Sequence, residues 1–381
     1  MNQTLRVGIV GAVRGAGFLD GLAHEEGRAR LSSVYDPDRE LAGQFAHEHG
    51  VEAVRNFDEL LGQSDLVVLA SPQEFHVPQA AAALECGVHV LSEVPAAVSM
   101  EQAHELVRAA RSSNAVYMLA ENYGYQRDLL IVGEMARRGM FGKIYYGEGE
   151  YLHEMKSWHT NSQGLPKWRY YWQVGRDGVT YPTHSLGPLL NWTQDRVVAV
   201  SCIGTGRHTD REHELQDTVV MLCRMLSGGL VRVRLDLLSN RPHLMNYYSV
   251  QGTEGAFESP RSQGGRPLVY VRTESPREEW DDLERFASLL PARYLLDVSG
   301  VGHGGSDMWP VRDMISVILG EISNPLDVYD ALDITLPGIV SESSIARAGT
   351  WVDVPNPRFM TDGIGTSPNE RSFPSLSDHF I

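Results

Sequence analysis

Five short apolar runs, separated by helix-like stretches, fill the first third of the chain, and no other feature constrains the fold as strongly. They are RVGIV (6 to 10), LSSVYD (31 to 36), LVVLAS (66 to 71), HVLSE (89 to 93) and AVYMLA (115 to 120). Runs this short, alternating with helical periodicity, pair as parallel strands, because a crossover must carry the chain back to the same end of the sheet. PDRELAGQFAHEHG and SMEQAHELVRAARSS read as two such crossovers. In the second, Ser99 is placed as N-cap with Gln102 at the capping-box position. A doubly wound α/β domain is expected over residues 1–122.

Beyond residue 122 the alternation stops. A helical stretch, LLIVGEMARRGM, precedes strand-like segments at 144 to 152, 197 to 205, 216 to 226, 229 to 238 and 245 to 251. The expectation for 123–381 is an α+β domain with a large, mostly antiparallel sheet and a C-terminal tail. Residues 259 to 298 read as a surface excursion, and the Pro- and Ser-rich tail from Val354 as a segment that wraps the surface or frays.

Composition narrows the function. A chain of 381 residues with 42% hydrophobic content can bury two cores. A net charge of −16 argues against general affinity for nucleic acid or anionic membrane. No apolar run is long enough to cross a bilayer, and MNQTLRVGIVG lacks the charged and apolar regions of a secretory leader. Cys86, Cys202 and Cys223 have neither zinc nor disulfide spacing and read as buried small apolar residues, which suits a reducing cytoplasm. His153, Glu154 and His159, and His208, Glu212 and His213, do not follow a zinc spacing, and RHTDREHE reads as an exposed polar loop; no metal is expected.

The first strand ends in VGIVGAVRGAGFLDGL. Gly11, Gly15 and Gly17, with Arg14 among them, form a variant of the glycine turn that lets backbone approach a pyrophosphate. Asp36 ends the second strand, where a carboxylate accepts from the adenosine ribose hydroxyls and repels a 2′-phosphate. NAD is therefore expected rather than NADP.

Ser71, Pro72, His76, Glu93 and Pro95, in LVVLASPQEFHVPQAAAALECGVHVLSEVP, resemble the Gfo/Idh/MocA sugar and inositol dehydrogenases. The resemblance implies that Ser71, Pro72, Glu93 and Asn122 line the nicotinamide end of the pocket. Most members write Glu-Lys-Pro and use the lysine in proton transfer; this chain has Val94 there, and Thr180 where an aspartate is usual. SEVPAA, ENYGYQRD, KWRYYW, GRDGVTYPTHSLGP, NRPHLMNYYSVQGTEGAFE, VGHGGSD and VDVPNPR together resemble the NAD-dependent glycosidases typified by bacterial α-N-acetylgalactosaminidases, which also lack the lysine.

That resemblance implies transient oxidation of a glycoside at C3, elimination of the aglycone across C1 and C2, addition of water and re-reduction. It implies catalytic roles for His184, Tyr181 and Tyr125, with Tyr123 at the substrate and Trp168 and Arg169 at the cofactor. Tyr181 and His184, three apart beside Pro182, are placed to face one pocket. Pro188 cannot donate to the carbonyl of His184. His243 stands where the galactosaminidases have tyrosine. With Lys156, Lys167, Arg169, Arg176, Arg241 and His303 it raises an anionic hexopyranoside, such as a sulfoquinovoside or uronide, beside the N-acetylhexosaminide. Two other readings stand: a sugar or polyol dehydrogenase that releases NADH, and a cofactor-binding regulatory protein. The only partners expected are the glycoside and, through the second-domain sheet, further copies of the chain.

Overall fold

The apolar runs of the first third form the parallel sheet they predict. The computed structural model describes residues 4–238, 240–242, 244–262, 264–275, 279–296 and 302–360. Its first sheet contains β1 (Leu5–Val10), β2 (Ala29–Tyr35), β3 (Glu52–Ala53), β4 (Leu66–Leu69), β5 (His89–Ser92) and β6 (Tyr117–Leu119), in the order β3-β2-β1-β4-β5-β6. β3 has only two residues, both exposed, so no apolar pattern announces it. All four residues of β4 are buried, as expected of a strand covered on both faces. The cover comes from α1 (Ala12–Gly15), α2 (Leu19–Ala23), α3 (Arg39–His49), α4 (Phe57–Gln63), α5 (His76–Glu85) and α6 (Met100–Ser112). Ser99 caps α6 by accepting from the amide of Gln102 at 3.2 Å. Gln102 reciprocates at Val98 N, 3.0 Å, one residue earlier than a capping box places it. Strand order reverses between β1 and β4, which opens a crevice at the carboxyl ends of the strands.

The second sheet contains β7 (Ile144–Leu152), β8 (Val197–Gly204), β9 (Val219–Met225), β10 (Leu230–Asp236), β11 (Leu244–Gly252), β12 (Gly255–Glu258), β13 (Leu268–Val271), β14 (Asp281–Asp282) and β15 (Val352–Asp353). Their order is β14-β13-β12-β11-β7-β10-β9-β8-β15, antiparallel except for β7 beside β10. α7 (Arg127–Arg137), α8 (Trp168–Trp172), α9 (Thr183–Thr193), α10 (Met308–Ile318) and α11 (Val328–Ile345) complete the fold. The expected excursion at 259 to 298 instead extends the sheet. Val269 and Val271 of β13 are buried, as are Leu283 and Phe286 beyond β14. Four alternating residues were too few to register as a strand.

After the second sheet the chain returns to the first domain. Val311, Met314 and Ile315 of α10 join Val7, Ile9 and Phe18 in one core. Asn324 donates to the carbonyl of Tyr117 at 2.8 Å. This return carries residues 302–307 to the mouth of the parallel sheet. Cys202 and Cys223 are buried, and burial pushes the Cys202 thiol up to about 12, so both act as small apolar residues. Cys86, by contrast, is exposed just after α5, where the chain turns at the surface. Of the tail, Arg358 pairs with Asp330 at 2.8 Å, and residues 361–381 lie outside the described set. No described helix is long and apolar enough to cross a membrane.

Candidate active site

Gly11 allows the first turn of the site. Its φ is +89°, and a Cβ there would lie 2.5 Å from the carbonyl oxygen of Ala70, so backbone fills the space any side chain would need. Gly15 donates to the carbonyl of Gly11 at 2.9 Å. Asp36, buried at the end of β2, accepts from Ala12 N and Asp38 N, each at 2.9 Å, and ties the turn to the second strand. A carboxylate has acceptor capacity beyond two bonds, which leaves Asp36 able to take ribose hydroxyls.

Glu93 follows β5 and accepts from Val94 N at 3.0 Å. Ser71 and Pro72 follow β4, with the Ser71 hydroxyl on Gln79 at 2.6 Å. These groups border the crevice and fit a dinucleotide. His76 does different work: its ring spans the carbonyls of Ser71 (2.9 Å) and Pro95 (3.1 Å), buried between the two loops. Asp36→Ala is expected to weaken NAD binding and erode the preference over NADP. Calorimetry showing tighter NADP than NAD for the unmodified chain would refute the assignment.

Asp307 organises the crevice mouth. It accepts from Arg14 (3.0 and 3.1 Å), from Asn122 (2.6 Å) and from His303 Nδ1 (2.8 Å), and is 1% exposed. The His303 and Arg14 bonds hold its carboxyl far below the ordinary range against desolvation. Arg14 also pairs with Glu93 through Nε. One aspartate, brought in by the returning chain, thus fixes three of the expected site residues.

Beside this hub lies a cluster of one imidazole and three phenols, all buried except the half-buried Tyr181. His184, one residue into α9, gives Nδ1 to Glu121 Oε1 at 2.8 Å and Oε2 at 3.0 Å. Gly187 makes this possible, since a Cβ there would meet the Glu121 side chain at 2.9 Å. Pro188 leaves the His184 carbonyl without its helical donor, and the hydroxyl of Tyr248 takes it. Tyr123 stacks on the imidazole with ring centroids 3.9 Å apart, Tyr181 meets it edge-on at 4.9 Å, and Tyr151 tilts against it at 5.3 Å. Burial, followed by Tyr151, Glu93 and Glu121, raises the Tyr181 phenol well above its ordinary value, while Arg169 opposes the shift. Because Glu121 accepts from Nδ1, Nε2 of His184 is left as the proton acceptor.

Other expected residues fall elsewhere. Tyr125 gives its hydroxyl to Asp313 at 3.0 Å in a separate cluster with Trp309 and Tyr294. Arg176 is held by Val98 O (2.8 Å) and Glu342 (2.5 Å) over Trp172, so it braces the two domains. Lys156 reaches Asn240 at 2.5 Å, and Arg241 is exposed. His243 lies outside the described residues. Arg169 packs over Trp168 (4.2 Å) and Trp158 (5.2 Å), with its Nε buried and unpartnered. Sequence reasoning missed Glu121 and Tyr151. Glu121 precedes Asn122 at the end of β6, a signal that could have found it; Tyr151 sits in the alternation of β7 and looks like a core residue.

The 207–214 loop is largely exposed, as its polarity predicts, but its one buried residue meets a second buried histidine. His213 is 6% exposed and meets His159 edge-on at 5.1 Å. His159 is 2% exposed, with both ring nitrogens unpartnered. Burial, with His213 nearby, holds its pKa down to about 4. A depressed histidine is neutral in the fold and must charge as acid is added. Its contribution is intact above the unfolded value near 6.5 and is lost as pH falls toward 4, by about 1–3 kcal/mol. Melting temperature against pH should therefore fall less steeply over that window in His159→Phe than in the parent; parallel curves would disprove the assignment.

Comparison with known proteins places both halves of the chain in known families. Residues 125–360 match the glycosyl hydrolase 109 C-terminal domain, and residues 5–121 match the oxidoreductase family NAD-binding Rossmann fold. The chain is 27% identical to an alpha-N-acetylgalactosaminidase of Shewanella oneidensis, over 93% of this chain and 85% of that protein. It is 30% identical to a glycosyl hydrolase family 109 protein of Parabacteroides distasonis, over 79% and 73% of the two. Among solved structures, a levoglucosan dehydrogenase in complex with NADH and L-sorbose shares the fold, with a TM-score of 0.78 at 19% identity, over 93% of this chain and all of that one. An Azotobacter vinelandii inositol dehydrogenase homolog complexed with NADH and myo-inositol does so at 0.74 and 21%, over 93% and 98%.

Proposed function

We propose that this chain, which belongs to glycosyl hydrolase family 109 and carries its NAD-binding Rossmann domain, hydrolyses hexopyranosides by passing through a C3 ketone and ends each turnover with its NAD unchanged. The observation that carries this reading is His184 fixed by Glu121 among Tyr123, Tyr151 and Tyr181, beside Glu93 and with Val94 where a lysine would otherwise act.

Bound NAD supplies a hydride acceptor for C3 and later returns the hydride. His184 Nε2 takes the proton of the C3 hydroxyl, and Glu121 stabilises the imidazolium that results. Tyr181, with Tyr151 next to it at 5.6 Å, handles the C2 proton made acidic by the neighbouring ketone. Arg169 favours the ionised phenol in that step, because its charge lowers the phenol's pKa against burial. The hydroxyl of Tyr125 is committed to Asp313, which supports Tyr181 over Tyr125.

Arg169 also bears on the sugar. Among the described residues it makes no ion pair, and desolvation lowers its pKa. A partly buried guanidinium outside any ion pair, with its Nε desolvated and unpartnered, is stabilised by a ligand acceptor, which favours a sulfonate, a carboxylate or an N-acetyl carbonyl on the substrate. Aryl glycosides of N-acetylgalactosamine, sulfoquinovose and glucuronic acid, assayed with NAD, should release phenol from at least one with no net NADH. Stoichiometric NADH and a stable keto-sugar would establish a dehydrogenase instead.

A further inference from the structure

We infer that Trp158 is the floor of an aglycone subsite, and that the aglycone it receives is a second sugar ring stacked on the indole through its C–H face. The assignment rests on the glycosidase reading above. With His184 at C3 and Tyr181 at C2, the next ring carbon is C1, so the bond that breaks points past Tyr181 and away from His184. What stands on that side decides which aglycones fit.

Trp158 stands there, at the end of a short turn, Lys156–Trp158, that follows β7. Ring contacts lead out to it from the reacting centre. Tyr181 lies 5.6 Å from Tyr151, Tyr151 lies 5.6 Å from His153, and His153 meets the indole edge-on at 5.4 Å. A second path runs through Arg169, whose guanidinium lies over the Trp158 ring at 5.2 Å and whose charge acts on Tyr181. Both paths end at the phenol assigned to C2.

Tyr151 and His153 are buried, whereas Trp158 is 48% exposed. A single exposed tryptophan needs no explanation by itself. This one is fixed in place: its amide donates to Met155 O at 2.8 Å, His153 abuts its edge, and the guanidinium over it is locked in turn against Trp168 at 4.2 Å. A ring so held loses little freedom when a ligand covers its exposed part.

The surroundings of the indole select the kind of ligand. Lys156 shares its turn, and Glu154 accepts from the Lys156 amide at 2.8 Å; the two charged ends are 3.9 Å apart and partly exposed. A wholly apolar aglycone laid over the turn would strip water from both charges and return no hydrogen bonds. A sugar ring avoids that cost. Its C–H bonds carry the partial positive charge that the negative face of the indole attracts, and its rim hydroxyls can accept from the ammonium and donate to the carboxylate.

The test measures kcat/KM with NAD present on glycosides of N-acetylgalactosamine, sulfoquinovose and glucuronic acid. Each sugar is offered as its methyl glycoside, its 4-nitrophenyl glycoside and a disaccharide whose aglycone is methyl galactoside, a ring with its C3, C4 and C5 hydrogens on one face. The parent should favour the disaccharide over the methyl glycoside. Trp158→Leu, which keeps apolar bulk beneath Arg169 but no flat face, should cut that preference by roughly tenfold or more, mostly through KM, and Trp158→Phe by less than about threefold. NAD affinity by calorimetry should match the parent in both. Equal losses on the disaccharide and the methyl glycoside in Trp158→Leu would make Trp158 a packing residue under Arg169 and overturn the assignment. So would a parent with no preference for the disaccharide, or a preference that survives in Trp158→Leu. A loss confined to the nitrophenyl glycoside would give the subsite to an aryl group and refute the sugar. A parent that cleaves none of these glycosides would defeat the glycosidase reading itself, and this assignment with it.

Discussion

His184→Ala is expected to lower glycoside turnover by roughly 10²-fold or more while NAD still binds, because it deletes a positioned general base and leaves the crevice glycines and Asp36 untouched. Truncation also strands Glu121, which is 1% exposed and among the described residues would keep the amide of Tyr123 at 3.0 Å as its donor. An uncompensated buried carboxylate costs about 3–5 kcal/mol, so the alanine variant should melt lower as well. His184→Asn separates the two effects. An asparagine donor can still reach Glu121 yet cannot accept a proton near neutrality, so stability should recover while turnover does not. Glu121→Gln should act in the opposite way, keeping the ring but permitting the wrong tautomer, with a loss of up to about 10⁴-fold. Calorimetry for NAD, thermal melting and single-turnover cleavage decide the matter. An asparagine variant that retains more than a tenth of parental activity would rule out His184 as the base.

The contrast between what could and could not be read from the sequence has a physical basis. Gly11 and Asp36 were legible because a glycine turn and the acid after the next strand are fixed within one βαβ unit. Tyr181 and His184 were legible because they stand three apart in one short motif around Pro182, although Tyr181 lies before the N-cap of the helix that carries His184. Glu121 was not, since it meets His184 across 63 residues and its role exists only once β6 and α9 are packed together. Asp307 is a stronger case, reaching Arg14 over 293 positions through a return of the chain to its first domain that no local pattern encodes. Arg176 failed for the same reason in reverse: it looked available for a ligand until folding brought Glu342 to it from 166 residues away. Tyr125 and Tyr181 are indistinguishable as phenols in a motif; Asp313, which takes the first hydroxyl, separates them. At 259 to 298 the strands were too short for periodicity to show.

Tyr181→Phe is expected to divide the reaction at its middle. The variant keeps His184 on Glu121, so C3 oxidation should proceed and reduced nicotinamide absorbance should rise to about one equivalent per site. The step after it requires proton removal at C2. Phenylalanine fills the same half-buried space without a hydroxyl, so elimination should slow by roughly 10²- to 10⁴-fold. In deuterium oxide the parent should yield product labelled at C2, whereas the variant should accumulate unlabelled ketone on the enzyme. Tyr151→Phe is the control for the choice between phenols. Its hydroxyl sits on His153 at 2.8 Å, so if Tyr151 only orders the cluster, exchange and cleavage should fall together and modestly. If Tyr151→Phe stalls with reduced cofactor while Tyr181→Phe turns over normally, the C2 role passes to Tyr151. If neither variant stalls and C2 labelling persists in both, neither phenol is the base. If the parent cleaves glycosides without any C2 label, the chemistry does not pass through a C3 ketone, and Val94 would then mark a family member that hydrolyses by another route.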